Sequence, residues 1–129
     1  MKIYVSYKQS WVPEKELEKS LTFLREEIEK LWNKTFIYFL DADSEKPATE
    51  LVEIFKSEIE KSDLFFCFIN HKKPSEWQLM ELAMAYAMNK KIILYVNDEV
   101  KDSYFLTYWV ASHTFYFKNF KKDLKKILG

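Results

Sequence analysis

Strand-like and helix-like stretches alternate from one end of this chain to the other, and that alternation leaves few folds open to it. Lys2–Tyr7 reads as a first strand. Pro13–Trp32 follows as an amphipathic helix, with Leu17, Leu21, Leu24, Ile28, Leu31 and Trp32 on one stripe and Pro13 suited to the first turn. Thr35–Leu40 is β-branched and aromatic and is bounded by Asp41-Ala42-Asp43-Ser44, which predicts strand two. Pro47–Lys61 is a second amphipathic helix, with Leu51, Val52, Ile54, Phe55 and Ile59 on its apolar face. Leu64–Ile69 is a continuous apolar run, as expected of a central strand covered on both faces. After the loop Asn70–Pro74 come a helix over Ser75–Asn89, a strand over Lys91–Val96, a short helical segment over Ser103–Trp109, a strand over Thr114–Phe117 and a closing helix over Asn119–Leu128. Strands separated by helices imply βαβ units and a parallel sheet. The predicted fold is therefore a single α/β domain over residues 1–129, a flavodoxin-like three-layer sandwich with a five-stranded parallel sheet in the order 2-1-3-4-5. Ligands of such sheets bind beyond the carboxyl ends of the strands, where the strand order reverses. That edge comprises Tyr7–Trp11, Asp41–Lys46, Asn70–Ser75 and Asn97–Tyr104.

Composition removes several functions. The only glycine is Gly129, the last residue, so neither a Walker A loop nor a G-x-G-x-x-G dinucleotide loop is present. Twenty Lys and Arg balance twenty Asp and Glu, which leaves no basic footprint for nucleic acid. Cys67 is the single cysteine and sits inside the apolar run, so it reads as a buried free thiol. No Cys/His cluster has metal-ligand spacing, and no metal or cofactor is expected. No apolar run approaches the length of a membrane span, and Met1-Lys2 leads straight into a strand without a signal peptide. A cytoplasmic protein with no membrane partner is the expectation.

The helix that begins at Ser75 carries the most chemical information. Apolar side chains occupy nearly every side of it, from Trp77 and Leu79 to Tyr86 and Met88, which predicts burial against more than one layer. Glu81 is the one charge in its body, and its neighbours three and four residues away are Gln78, Met84, Trp77 and Ala85. No Lys or Arg of this helix can pair with it. Burying an unpaired carboxylate costs several kcal/mol unless it protonates or gains hydrogen bonds, so a raised pKa in a cleft marks a candidate acid, base or nucleophile. The alternative is a Glu81 that points to solvent at the helix rim or pairs with a Lys from another element. Ser75, with Gln78 three residues on, fits the N-cap of a capping box.

The order of several short motifs resembles two related families. Tyr4-Val5-Ser6-Tyr7 is similar to the F-I-S-Y box of Toll/interleukin-1 receptor (TIR) domains, and Leu40-Asp41 with its Pro-containing loop and Ile59-Glu60-Lys61-Ser62-Asp63 follow the same family's pattern. Ser75-x-Trp77-x-x-x-Glu81-Leu82 resembles the TIR run whose glutamate is catalytic where NAD is cleaved. Met80-Glu81-Leu82-Ala83-Met84-Ala85-Tyr86-Ala87-Met88-Asn89-Lys90 is similar to a run of the nucleoside 2-deoxyribosyltransferases, as is Leu106–Ser112. Ser75 stands where those transferases carry an aspartate, and Lys46-Pro47-Ala48 lacks the glycine usual in the TIR loop.

Both families break an N-glycosidic bond between a ribose and a base. The resemblance implies Glu81 as the catalytic residue at the anomeric carbon, stabilising an oxocarbenium-like transition state or adding to it as a nucleophile. It implies NAD as substrate, with a nucleoside or nucleotide transferase or hydrolase as the alternative and a non-catalytic TIR adaptor as a further one. A homo-oligomer and TIR-type protein partners follow from the same resemblance. Location at strand and helix ends makes Ser6, Tyr7, Lys8, Trp11, Asp41, Ser75 and Trp77 the candidate substrate-binding residues: the aromatics to stack on bases, Lys8 to meet a phosphate, Ser6 and Asp41 to hydrogen-bond ribose. His71 lies on the loop after strand three, where an exposed residue is the plainer reading, and His113 is assigned no role.

Overall fold

The protein is described here from a computed structural model, which covers residues 1–9, 12–31, 33–42, 46–73, 75–103, 110–116 and 120–128. Its elements are β1 (Lys2–Ser6), α1 (Glu14–Glu29), β2 (Lys34–Phe36), α2 (Tyr38–Asp41), α3 (Ala48–Lys61), β3 (Leu64–Ile69), α4 (Glu76–Ala87), β4 (Lys91–Val96), a 3-10 helix (Asp98–Ser103), β5 (His113–Tyr116) and α5 (Phe120–Leu128). The five strands form one sheet in the order β2-β1-β3-β4-β5, and every pair is parallel. This is the predicted architecture.

The sheet is covered on both faces because its strands are apolar on both. On one face Ile3, Val5, Phe66 and Ile93 meet Leu17, Leu21, Leu24 and Ile28 of α1 and Leu124 of α5. On the other, Tyr4, Phe65, Cys67 and Leu94 meet Phe55 and Ile59 of α3 and Leu82 and Ala85 of α4. Each of the Val, Leu, Ile and Phe side chains among these contributes about 1.5–3 kcal/mol through burial. All six residues of β3 are buried, as its uninterrupted hydrophobicity requires. Register aligns the carboxyl ends, with Ser6 opposite Cys67 and Ile69 opposite Val96. The Asn97 side chain then ties the ends of β3 and β4 together, donating from Nδ2 to Asn70 Oδ1 at 2.8 Å.

Two local readings change, and a third lies largely outside the described residues. The expected strand over Thr35–Leu40 stops at Phe36, and a helical turn replaces the rest. Asp41 causes this: its carboxylate accepts the Ile37 amide at 2.8 Å and pairs with Arg25 at 2.6 Å, which folds the chain back on itself. Helix α4 is not buried all round, since Leu79 and Tyr86 are 42% and 60% exposed. The sheet and α3 cover two of its sides, leaving an apolar outer face exposed among the described residues. The expected helical segment Ser103–Trp109 falls mostly in 104–109, outside the described residues, and a 3-10 helix precedes it. Among the described residues, no helix is long and apolar enough to cross a membrane.

Candidate active site

Helix α4 starts at the carboxyl edge of the sheet and is fixed there by two polar side chains. The Ser75 hydroxyl accepts the Gln78 amide at 3.4 Å, so Ser75 caps the helix as expected. The Gln78 side chain does not return to Ser75 to complete a capping box. It runs the other way, donating from Nε2 to the carbonyl oxygens of Phe68 at 2.6 Å and Ser6 at 3.3 Å. One buried amide thereby joins α4 to the ends of β3 and β1, at the point where the strand order reverses.

Glu81 lies one turn further along the same face. It is 5% exposed, and its carboxyl group forms part of the wall of a cleft of about 370 Å³. Tyr4, from β1, donates its hydroxyl to Glu81 Oε2. Burial pushes the Glu81 carboxyl up to about 8, while the hydroxyls of Tyr4 and Ser6 pull in the opposite direction. Ser6 is fully buried beside the carboxyl, and its hydroxyl favours the ionised form as that of Tyr4 does. The reciprocal effects agree. Burial and then the negative charge of Glu81 raise the pKa values of Tyr4, Tyr7 and Cys67. No ion pair involves Glu81 among the described residues.

The rest of the cleft is mostly aromatic. Tyr38 and Trp77 both meet Phe55 edge-on, at ring centroid separations of 5.3 and 5.8 Å. Trp77 remains 37% exposed, which leaves ring surface for a ligand. Leu51, Gln9, Tyr7 and Ser75 complete the lining.

Of the residues singled out in the sequence, the structure brings Tyr7, Ser75, Trp77 and Glu81 together in this cleft, with Ser6 buried behind it. Lys8 and Asp41 do not line it. Lys8 is 8% exposed, donates to the Lys73 carbonyl at 3.0 Å and borders a separate hollow with Glu16, Phe68 and His71. Asp41 is engaged by Arg25 and the Ile37 amide. Trp11 lies outside the described residues. Sequence reasoning missed Tyr4, Gln9, Tyr38, Phe55 and Gln78. Two of these left a signal: Tyr4 is two residues from Ser6 on a strand and so shares its face, and Gln78 is one helical turn before Glu81. Among the described residues, no group of three or more His, Cys, Asp or Glu could hold a metal ion.

No protein-family model and no curated protein sequence matches the chain. Solved structures do. The CMP N-glycosidase of Clostridium botulinum superposes with a TM-score of 0.69 at 18% identity, over 98% of this chain and 98% of its own. A conserved protein from Enterococcus faecalis gives a TM-score of 0.78 at 12% identity, over 97% of each chain. The 2-deoxyribosyltransferase of Bacillus psychrosaccharolyticus gives 0.59 at 21% identity, over 80% of this chain and 82% of its own. The architecture is thus the nucleoside 2-deoxyribosyltransferase-like α/β fold. At these identities the likeness speaks for the fold, and the side chains in the cleft carry the chemistry.

Proposed function

We propose that this protein cleaves the N-glycosidic bond of a nucleoside or nucleotide, by hydrolysis or by transfer to a second base, with Glu81 acting at the anomeric carbon. The single observation that carries the reading is a carboxyl group 5% exposed, in a cleft wall, with a tyrosine hydroxyl as its partner and no cation paired to it among the described residues. Such a group is costly to keep, and no ion pair recovers the cost. The substrates named for the C. botulinum and B. psychrosaccharolyticus neighbours favour this reading over cleavage of NAD, which contains the same class of bond.

In the proposed reaction the ionised Glu81 attacks C1′ of the sugar. The C1′–N bond breaks, its electron pair leaves with the base, and the base takes a proton from water. Water or the nitrogen of a second base then attacks C1′ and displaces the carboxylate, which regenerates the site. Positive charge develops on the ring oxygen and C1′ as the bond breaks, next to a carboxylate already oriented by Tyr4. Trp77, with its edge-on support from Phe55, is placed to stack on the base. Self-association has the exposed Leu79 and Tyr86 face of α4 available to it, and sedimentation of the wild type against Leu79→Lys reads whether that face is used.

Chromatography of nucleosides, 2′-deoxynucleosides, their 5′-monophosphates and NAD after incubation tests the proposal. Free base from a nucleoside or monophosphate is expected with wild type, and a loss of about 10³-fold or more with Glu81→Ala. Undiminished release by a folded Glu81→Ala protein contradicts it, and nicotinamide as the sole product returns the assignment to NAD.

A further inference from the structure

Among the described residues the cleft has a carboxyl group but nothing basic. Its described lining contains no Lys and no Arg, and Glu81 is the one carboxyl group on it. Lys8, next to Tyr7 in sequence, donates to the Lys73 carbonyl on a different hollow, and Arg25 is engaged by Asp41 and Thr35. Stretches 10–11, 43–45 and 104–109, which follow β1, α2 and the 3-10 helix, contain no Lys or Arg in the sequence either. Asp43 and Glu45 there are acidic.

A phosphate monoester is close to doubly charged at neutral pH, and recognition of it draws on cations or on free amides at a helix N-terminus. At the N-terminus of α4 the Gln78 amide is already taken by Ser75 Oγ, and Glu76 puts a carboxylate in the first turn, which disfavours an anion there. A phosphate in the cleft would face the Glu81 carboxylate through an apolar medium, where like charges repel strongly. It would hold that carboxyl protonated and so remove the nucleophile. A cleft of about 370 Å³ is also at the small end of ligand sites, in keeping with one nucleoside and not with a dinucleotide.

Resting on the N-glycosidase reading, we infer that the cleft takes a free nucleoside, with a hydroxyl and not a phosphate at its 5′ carbon. The ligand differs in this from the monophosphate named for the C. botulinum neighbour. Gln9, exposed and on the cleft lining, is the position from which a cation would change the preference.

The test is calorimetric binding to the wild-type protein of pseudouridine and formycin, whose carbon–carbon glycosidic bonds cannot be cleaved, against their 5′-monophosphates at pH 7. At least one free nucleoside is expected to bind about tenfold or more tightly than its monophosphate, and Gln9→Arg to narrow that gap. Monophosphates that bind as tightly as the nucleosides, or the failure of both nucleosides to bind, overturn the inference. If the nucleoside preference holds while no N-linked nucleoside is turned over, the catalytic reading fails and the ligand assignment stands. Should Gln9→Arg not fold, the wild-type comparison decides alone.

Discussion

A carboxyl group buried beside a tyrosine hydroxyl responds to pH in a direction its surroundings fix. Burial pushes Glu81 up to about 8, and the proposed nucleophile is the ionised form. The value of kcat/KM for base release should therefore rise with pH through about 8. Tyr4→Phe removes a donor that favours the carboxylate, so the midpoint should move higher and the rate at pH 7 fall by roughly tenfold for each unit moved. A profile flat down to about pH 4.5, near the ordinary glutamate value, contradicts the reading. Stability runs the opposite way with pH. A group whose pKa is raised in the folded state contributes fully below its unfolded value, and that contribution is lost as pH rises through the folded one. Wild type should thus lose stability between about 4.5 and 8 relative to Glu81→Gln, by an amount on the order of a few kcal/mol, read by urea denaturation across pH. Glu81 was legible in the sequence because it is the only charge in the body of an otherwise apolar helix. Tyr4 was not, because a tyrosine in a strand looks like any core aromatic until the strand's face is known. Lys8 misled for a related reason: residue type shows the charge, but the turn after β1 decides which hollow it meets.

At the scale of the element, α4 is held by polar contacts that periodicity alone does not expose. Gln78 satisfies two buried carbonyls, so Gln78→Ala should cost about 1–3 kcal/mol by denaturant titration. It should also lower kcat while leaving the midpoint of the pH profile near that of wild type, because it positions α4 without touching the Glu81 carboxyl. The other end of α4 closes without glycine. Asn89 adopts φ 58°, and the amides of Asn89 and Lys90 donate to the carbonyls of Tyr86 and Ala85, a Schellman arrangement. Asn89→Gly should keep stability or raise it slightly, whereas Asn89→Ala should lower it by about 1 kcal/mol, both read as thermal midpoints. The end of β2 escaped the sequence reading because Thr35–Leu40 has strand composition throughout. The tertiary contact of Asp41 with Arg25 overrides that preference, and only the fold brings the pair together.

Across the whole molecule, the sheet order and its layers were readable because each strand and helix follows a simple hydrophobic period, and parallel βαβ connections admit few arrangements. What composition could not show is which surfaces converge. The cleft draws on β1, α2, α3 and α4, and its aromatic walls come from residues far apart in sequence. The exposed apolar face of α4 is likewise visible only once the sheet and α3 have covered the other sides. The account stands on a covalent role for one side chain at the cleft, which can be observed by itself. Incubation with a 2′-fluoro-substituted nucleoside slows breakdown of a sugar–enzyme ester, and peptide mass spectrometry then locates the ester. The predicted result is one sugar residue on the peptide containing Glu81 and none on the Glu81→Gln protein. A sugar on any other side chain, or base release at the wild-type rate by Glu81→Gln, would contradict it.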